Sequence, residues 1–136
     1  MSDLTCWMYI STATIPHAEA ALVIDAIVAI SRGRNAALNV TGALIFSGDS
    51  FAQIIEGPTD PIAELRASIS RDVRHCEILT MAEGDQNRRE FAGWSLAYSG
   101  TSLFVARELD RISAARVSEP YNANRDLRRL LGELAS

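Results

Sequence analysis

Apolar positions along the chain fall into short runs and longer stripes, and their periods separate strands from helices. Leu4–Ile10 alternates, with Leu4, Cys6, Met8 and Ile10 on one face and Thr5, Trp7 and Tyr9 on the other. Both faces are largely apolar, which predicts a central strand covered on both sides. Thr14-Ile15-Pro16 predicts a helix start, Thr14 capping and Pro16 in the first turn. Ala21, Leu22, Ile24, Ile27, Val28 and Ile30 carry it as a wide apolar stripe to about Ser31, and Ser31-Arg32-Gly33-Arg34-Asn35 ends or interrupts it. Val40–Phe46 and Phe51–Ile55 are two short apolar runs around Ser47-Gly48-Asp49-Ser50, the pattern of a β-hairpin. Gly57-Pro58-Thr59-Asp60-Pro61 is a turn into a second helix, with Asp60 as cap and Pro61 at the first helical position. Ile62, Leu65 and Ile69 form its buried stripe, and it stops near Arg71-Asp72-Val73-Arg74-His75. Glu77–Ala82 reads as a fourth strand and Gly84–Glu90 as a polar loop. Phe91–Tyr98 reads as a fifth strand with Trp94, Leu96 and Tyr98 on one face.

The order is β-α-β-β-α-β-β. Its first six elements are the ferredoxin-like βαββαβ pattern of the α+β class, an antiparallel sheet with two helices on one face. The remainder, from Leu103 to Ser136, is helical in two pieces split at Ser118-Glu119-Pro120, with Leu127, Leu130, Leu131 and Leu134 striping the second. A ferredoxin-like core leaves one sheet face bare, and these helices are its natural cover. The leucine stripe is therefore expected mainly as cover, and secondarily as a surface for association.

At 136 residues, 48% hydrophobic and 22% charged, the chain suits one domain with a core of its own. The formal net charge of -4 argues against a nucleic-acid binder working through a broad basic field. No apolar run reaches the roughly 20 residues that span a bilayer. The start M-S-D-L carries no secretory pattern, and Cys6 and Cys76 match no C-x-x-C spacing. A reduced cytoplasmic protein, with neither membrane nor nucleic acid as partner, is the expectation. All 13 basic residues are Arg, which excludes Schiff-base and phosphate-loop lysines. The only histidines are His17 and His75, and no spacing suggests a metal cluster, a nucleophile elbow or a Gly-rich nucleotide loop. Helix amides after Thr14 or Asp60 are only a weak anion signal. Arg71–His75 reads as a solvated loop with an internal Asp–Arg pair. Tyr9 and Trp94, taken singly, read as core aromatics.

One position in the hairpin stands out. Gln53 lies in an otherwise apolar strand between Phe51, Ala52, Ile54 and Ile55. A buried primary amide needs partners for two N–H donors and a carbonyl, and leaving them unmet costs about 1–3 kcal/mol or more. Gln53 therefore either joins a protein network or faces a polar ligand, and the residues alone favour the network.

In combination, these residues resemble a BLUF domain, the flavin-binding blue-light sensor. The resemblance rests on Tyr9-Ile10-Ser11, Asn35, Thr41-Gly42-Ala43-Leu44, Phe51-Ala52-Gln53-Ile54-Ile55-Glu56-Gly57, Asp72-Val73-Arg74-His75 and Arg89-Glu90-Phe91-Ala92-Gly93-Trp94. They occur in order and in one register over about residues 4 to 98. The resemblance implies a flavin between the two helices on one sheet face, FAD first, with FMN or riboflavin as alternatives. Tyr9 and Gln53 match the photoactive pair, which moves Gln53 from network to ligand contact. Asn35 matches the amide that bonds the polar edge of the ring. Arg34, Asp72, Arg74 and His75 fall near the ring and side chain, and Ile27 and Ile69 are assigned to its two faces from helix position. The implied mechanism takes an electron and then a proton from Tyr9 and leaves Gln53 rotated or tautomerised, a hydrogen-bond switch that decays in the dark. Trp94 and Leu96 match the signalling strand, but Leu96 stands where many members have Met, so it lacks a thioether acceptor.

The resemblance implies a flavin-binding core over residues 1–100 and a helical cap or signalling segment over 101–136. The tail is too short for a cyclase or phosphodiesterase. The expectation is thus a stand-alone, non-enzymatic sensor acting as a homo-oligomer or through a downstream protein. Its rivals are a small ferredoxin-like hydrolase of acylphosphatase type, for which Arg34 and Asn35 superficially supply the needed pair, and a colourless ligand-binding module.

Overall fold

The computed structural model describes residues 3–100 and 102–135. In chain order the elements are β1 (Leu4–Ala13), a 3₁₀ turn (His17–Glu19), α1 (Ala20–Ala37), β2 (Thr41–Phe46), β3 (Ser50–Pro58), α2 (Thr59–Arg71), β4 (His75–Gln86), β5 (Ala97–Ser99), α3 (Leu103–Ala115), α4 (Pro120–Gly132) and a last 3₁₀ turn (Glu133–Ala135). The strands form one sheet in the order β4-β1-β3-β2-β5. The first four pair antiparallel in the ferredoxin-like order, and β5 adds beside β2 in parallel. The sheet is therefore mixed, not wholly antiparallel. The connection after β4 crosses to the far edge and arrives running with β2.

Strand alternation divides two cores. Met8 and Ile10 of β1 share one with Ala43, Ile45, Ala52 and Ile54, under Leu109 and Ile112 of α3 and Leu127 and Leu131 of α4. Trp7 and Tyr9 share the other with Leu44, Phe51 and Ile55, under Ile24 and Val28 of α1 and Ile62 and Leu65 of α2. Leu127, Leu130 and Leu131 are buried and Leu134 packs against them, so the stripe covers the sheet. Each such side chain contributes about 1.5–3 kcal/mol by leaving water.

Several boundaries differ from the expectation, each for a local reason. Thr14 does not cap α1: its hydroxyl donates to the Val73 carbonyl at 2.7 Å, and the α-helix begins only at Ala20. Nor does α1 stop at Ser31. Ser31 and Asn35 are buried in line with Ile24 and Val28, so the inward stripe continues through two polar residues. The helix ends at Ala37, and Asn39 follows in the left-handed region with φ 58°. In α2, Thr59 and Asp60 occupy the first turn, so Asp60 is not the cap and Pro61 is not first. Pro61 is tolerated there because first-turn N–H groups have no helical acceptor. β4 starts earlier than expected, at His75, and runs on into the expected loop as far as Gln86. Phe91–Trp94 is a turn, with Gly93 at φ 86° and Trp94 N–H donating to the Phe91 carbonyl at 2.9 Å. Only Ala97–Ser99 remains as β5, and Trp94 is not on its face. Leu96 and Tyr98 do pack together, on the α1/α2 side.

Gly42 in β2 is set by close approach. A Cβ there would lie 2.1 Å from the Ile54 carbonyl oxygen across the strand pair. Gly42→Ala is expected to destabilise the fold by about 1–3 kcal/mol, the usual range for overpacking. Urea unfolding checks this; an unchanged midpoint contradicts the close approach.

Candidate functional site

The β1–β3 register sets Tyr9 directly opposite Gln53, and the β2–β3 register sets Gln53 opposite Leu44. These side chains, with Phe51 two residues earlier on the same face, line a cleft between α1 and α2. From α1 it is lined by Ile27, Ile30, Ser31 and Arg34, the spacing of one helix face. From α2 come Ser68 and Ile69, and from the turn into β4 come Asp72, Arg74 and His75. The cleft encloses about 660 Å³ counting the part open to solvent.

The Tyr9 hydroxyl donates to Gln53 Oε1 at 2.6 Å, and both residues are buried. Burial pushes the Tyr9 phenol well above its ordinary value; the Asp72 charge adds to this and Arg34 opposes it. Tyr9 is therefore a protonated donor at neutral pH. That donation fixes Oε1 as the acceptor and leaves Nε2 as the free donor of Gln53, with no protein acceptor among the described residues. Arg34 adds a second unmet donor, because its Nε–H is buried without a partner among the described residues. A buried donor left unmet, as at Arg34 Nε, costs about 1–3 kcal/mol, so an acceptor entering the cleft would be favoured there.

His75 is differently placed. Its Nε2 lies 2.7 Å from the Ile69 carbonyl, which can only accept, so Nε2 carries a proton. Its Nδ1 meets the Ser11 hydroxyl at 2.7 Å. With both nitrogens engaged, His75 braces the end of α2 against β1 and offers the cleft only its ring. Arg74 donates to the Asp72 carboxylate from Nε at 2.9 Å and from Nη2 at 2.5 Å. This is the Asp–Arg pair expected in that turn, and Arg74 holds the Asp72 carboxyl below its ordinary value.

Tyr9, Gln53, Arg34, Ile27, Ile69, Asp72, Arg74 and His75 thus come together in one cleft. Asn35 does not line the cleft: it is buried, and its Nδ2 donates to the Ser95 carbonyl at 2.9 Å. Arg32 Nε donates to the Leu96 carbonyl at 3.0 Å, so the end of α1 holds the segment before β5 twice. Trp94 is 42% exposed and outside the cleft, whereas Leu96 is 1% exposed and packs in the core that holds Tyr9. Sequence reasoning missed Ile30, Ser31, Leu44, Phe51 and Ser68. Helical spacing from Ile27 would have found Ile30 and Ser31, and the two-residue period from Gln53 would have found Phe51. Nothing local points to Leu44 or Ser68. Among the described residues, no His, Cys, Asp or Glu group is placed to hold a metal ion, and no helix is long and apolar enough to cross a membrane.

The chain matches the family model described as BLUF, sensors of blue-light using FAD, over residues 4–97. It is 36% identical over 106 residues to a photoactivated adenylate cyclase subunit beta of Euglena longa, a match covering 77% of this chain and 12% of that protein. It is similar in structure to BlrB, a BLUF protein solved in its dark state, with TM-score 0.77 and 31% identity over 96% of this chain and 99% of that one. A bacterial light-regulated adenylyl cyclase gives TM-score 0.74 and 27% identity over 87% of this chain and 36% of that one. The chain thus spans 12% of the length of the Euglena longa relative, and a comparably small part of similar cyclase subunits.

A raised phenol makes the fold sensitive to alkali with a definite sign. The folded protein keeps the Tyr9 proton where the unfolded chain releases it, so this contribution is complete below pH 10.0 and is lost as pH rises beyond it. Urea midpoints measured from pH 8 to 11 are expected to fall more steeply in the wild type than in Tyr9→Phe. Parallel curves would show that the buried phenol carries no such linkage.

Proposed function

Because the chain belongs to the BLUF family of blue-light sensors, we propose that its cleft binds a flavin non-covalently and that Tyr9 and Gln53 are its light-responsive pair. The observation that carries this reading is the 2.6 Å bond from Tyr9 to Gln53 Oε1 at the cleft between α1 and α2. The unmet donors on Gln53 and Arg34 suit the acceptor-rich edge of a flavin ring, and the apolar walls suit its faces. On this reading Ile27 and Ile69 pack the ring, and Arg34 and Gln53 donate to its edge. Asn35 keeps Oδ1 as an acceptor, while Asp72, Arg74 and His75 flank the side chain. The family description names FAD, which is the proposed form; FMN and riboflavin carry the same ring.

A bound flavin supplies absorption of blue light and an electron-accepting excited state. The chain's own part is the polar pair. Tyr9, protonated and aimed along a short bond, would release its proton toward Gln53 Oε1 only as it gives up an electron to that excited state, since burial otherwise holds the phenol proton. Gln53 can answer by rotating or tautomerising, which exchanges donor for acceptor on its cleft side. Both moves reverse without a covalent bond, so the switch resets in darkness. The signal then passes through the Leu96 segment and β5 to α3 and α4. We take the chain to be a cytoplasmic sensor without catalysis of its own, working as a homo-oligomer or through a downstream protein. The exposed Leu103 and Phe104 at the start of α3 are surface for such contacts.

An acylphosphatase-type reading is not favoured. It needs free amides after β1, but Ala13 N–H donates to the Asp49 carbonyl at 2.8 Å and Thr14 N–H to the Arg74 carbonyl at 3.0 Å. Arg34 also faces the cleft while the Asn35 amide is committed to Ser95.

Purified protein is expected to be yellow, to shift slightly to the red under blue light and to recover in darkness. Tyr9→Phe and Gln53→Ala are expected to keep the flavin and lose that photoproduct. An unchanged red shift in either variant would overturn the pairing, and a colourless protein that takes up no flavin would overturn the whole reading. Infrared light-minus-dark spectra of wild type and Leu96→Met should differ in the sheet region. Identical bands would remove Leu96 from the relay.

A further inference from the structure

Glu56 is the only buried acid among the described residues, at 0% exposure. It follows Gln53 by three positions on β3, and strand alternation turns it to the opposite face, toward α4. Four donors converge on its carboxylate. Oε1 accepts from the Thr41 hydroxyl at 2.9 Å and the Phe91 N–H at 2.7 Å. Oε2 accepts from the Glu90 N–H at 2.9 Å and the Gln86 side-chain amide at 2.5 Å. Arg89 stands behind them, donating to Thr41 Oγ1 at 2.8 Å and to the Asn39 carbonyl at 2.7 Å. Only an acceptor-only group meets four donors without conflict; a carboxamide would turn N–H2 against two of them.

Three of the four donors belong to residues 86–91, the end of β4 and its connection to β5. Glu56 therefore ties that connection to the end of β3. The connection in turn grips α4: the Glu90 carboxylate accepts from Arg128 Nη1 at 2.5 Å, and Arg128 Nη2 lies 3.6 Å from Cys6 Sγ of β1. A continuous polar path runs from β3 through Glu56 and Glu90 to Arg128. We propose that Glu56 is a positioning residue that carries a change at β3 to α4 by this path. The proposal rests on the light-sensing reading of Gln53, but the path lies on the other face of the sheet and takes no part in the photochemistry.

The test uses the full chain with its flavin, in the wild type, Glu56→Gln, Arg128→Gln and the exchange Glu90→Arg with Arg128→Glu. Absorption spectra and hydrogen exchange are recorded in the dark and under blue light. All four proteins should form the same red-shifted photoproduct. The wild type should show light-dependent exchange in residues 86–91 and in α4. In Glu56→Gln, dark exchange of residues 86–91 should rise about tenfold, the scale of an unmet buried donor, and the light-dependent change in α4 should vanish. Arg128→Gln should keep the change in 86–91 and lose it in α4, and the exchange should restore it. A merely structural role would alter dark exchange and leave the light-minus-dark difference in α4 intact. That result, or no light-dependent change in wild-type α4, overturns the proposal. Arg128→Gln alters a surface-side contact and decides the matter even if Glu56→Gln fails to fold. Absence of any photoproduct in the wild type is a separate result, and it overturns the light-sensing reading itself.

Discussion

Tyr9 meets Gln53 because β1 and β3 pair antiparallel in one unbroken register, from Leu4 opposite Pro58 to Thr12 opposite Ser50. Side chains alternate across a sheet, so a slip of one residue would send Gln53 toward α3 and α4 and bring Ile54 to the cleft. The apolar residues on both faces forbid that slip, since Met8, Ile54 and Trp7 each have a core to fill. The polar pair is thus held by hydrophobic packing on both sides of it. On its other edge β1 is less regular. Its register with β4 shifts between Met8 and Tyr9 and again between Ile10 and Thr12, with Glu77 at φ 50°. The continuous side of β1 faces Gln53, and the irregular side leads to the turn that carries Arg74 and His75.

β3 carries buried polar groups on both faces, and each is satisfied in its own way. Among the described residues Gln53 has one partner and an amide nitrogen without an acceptor, which makes it a group open to a ligand. Glu56 has four partners among the described residues, two on each oxygen. In a low-dielectric interior a fully met network rigidifies its surroundings, whereas a partly met one is costly until something completes it. The same strand therefore holds a responsive group three residues from a rigid one. The residues that carry the family resemblance divide along this line. Tyr9, Gln53 and the 72–75 turn build the cleft, while Thr41, Gly42, Glu56, Arg89 and Phe91 build the tie that positions the approach to β5.

Departures from sequence expectation have a common physical origin. Ser31 and Asn35 look like a helix end because they are polar, yet they are buried and the helix continues, with Asn35 satisfied by a carbonyl from Ser95. Phe91 looks like a strand start because it is apolar, yet its N–H is taken by the Glu56 side chain and not by a ladder. Thr14 looks like a cap, yet its hydroxyl is spent on Val73. In each case a distant partner outcompetes the local preference. Where no distant polar partner intervenes, as in the leucines of α4, the local pattern and the fold agree.

Alternation and helical stripes were enough to yield the order of elements, the two-sided burial of β1 and the covering role of the last helix, because those depend on short-range periodicity and apolar content. Residue chemistry marked Gln53 as out of place in an apolar strand, and the company it keeps in sequence marked the family. The chain's folding supplied the rest: which atom of Gln53 is left free, that the Arg34 Nε–H has no partner among the described residues, that His75 is a brace, and that Glu56 gathers three of its donors from 30 and more residues away. Those facts are relations between strands and helices remote in sequence, and a hydrogen bond across such a separation leaves no trace in the spacing of either partner.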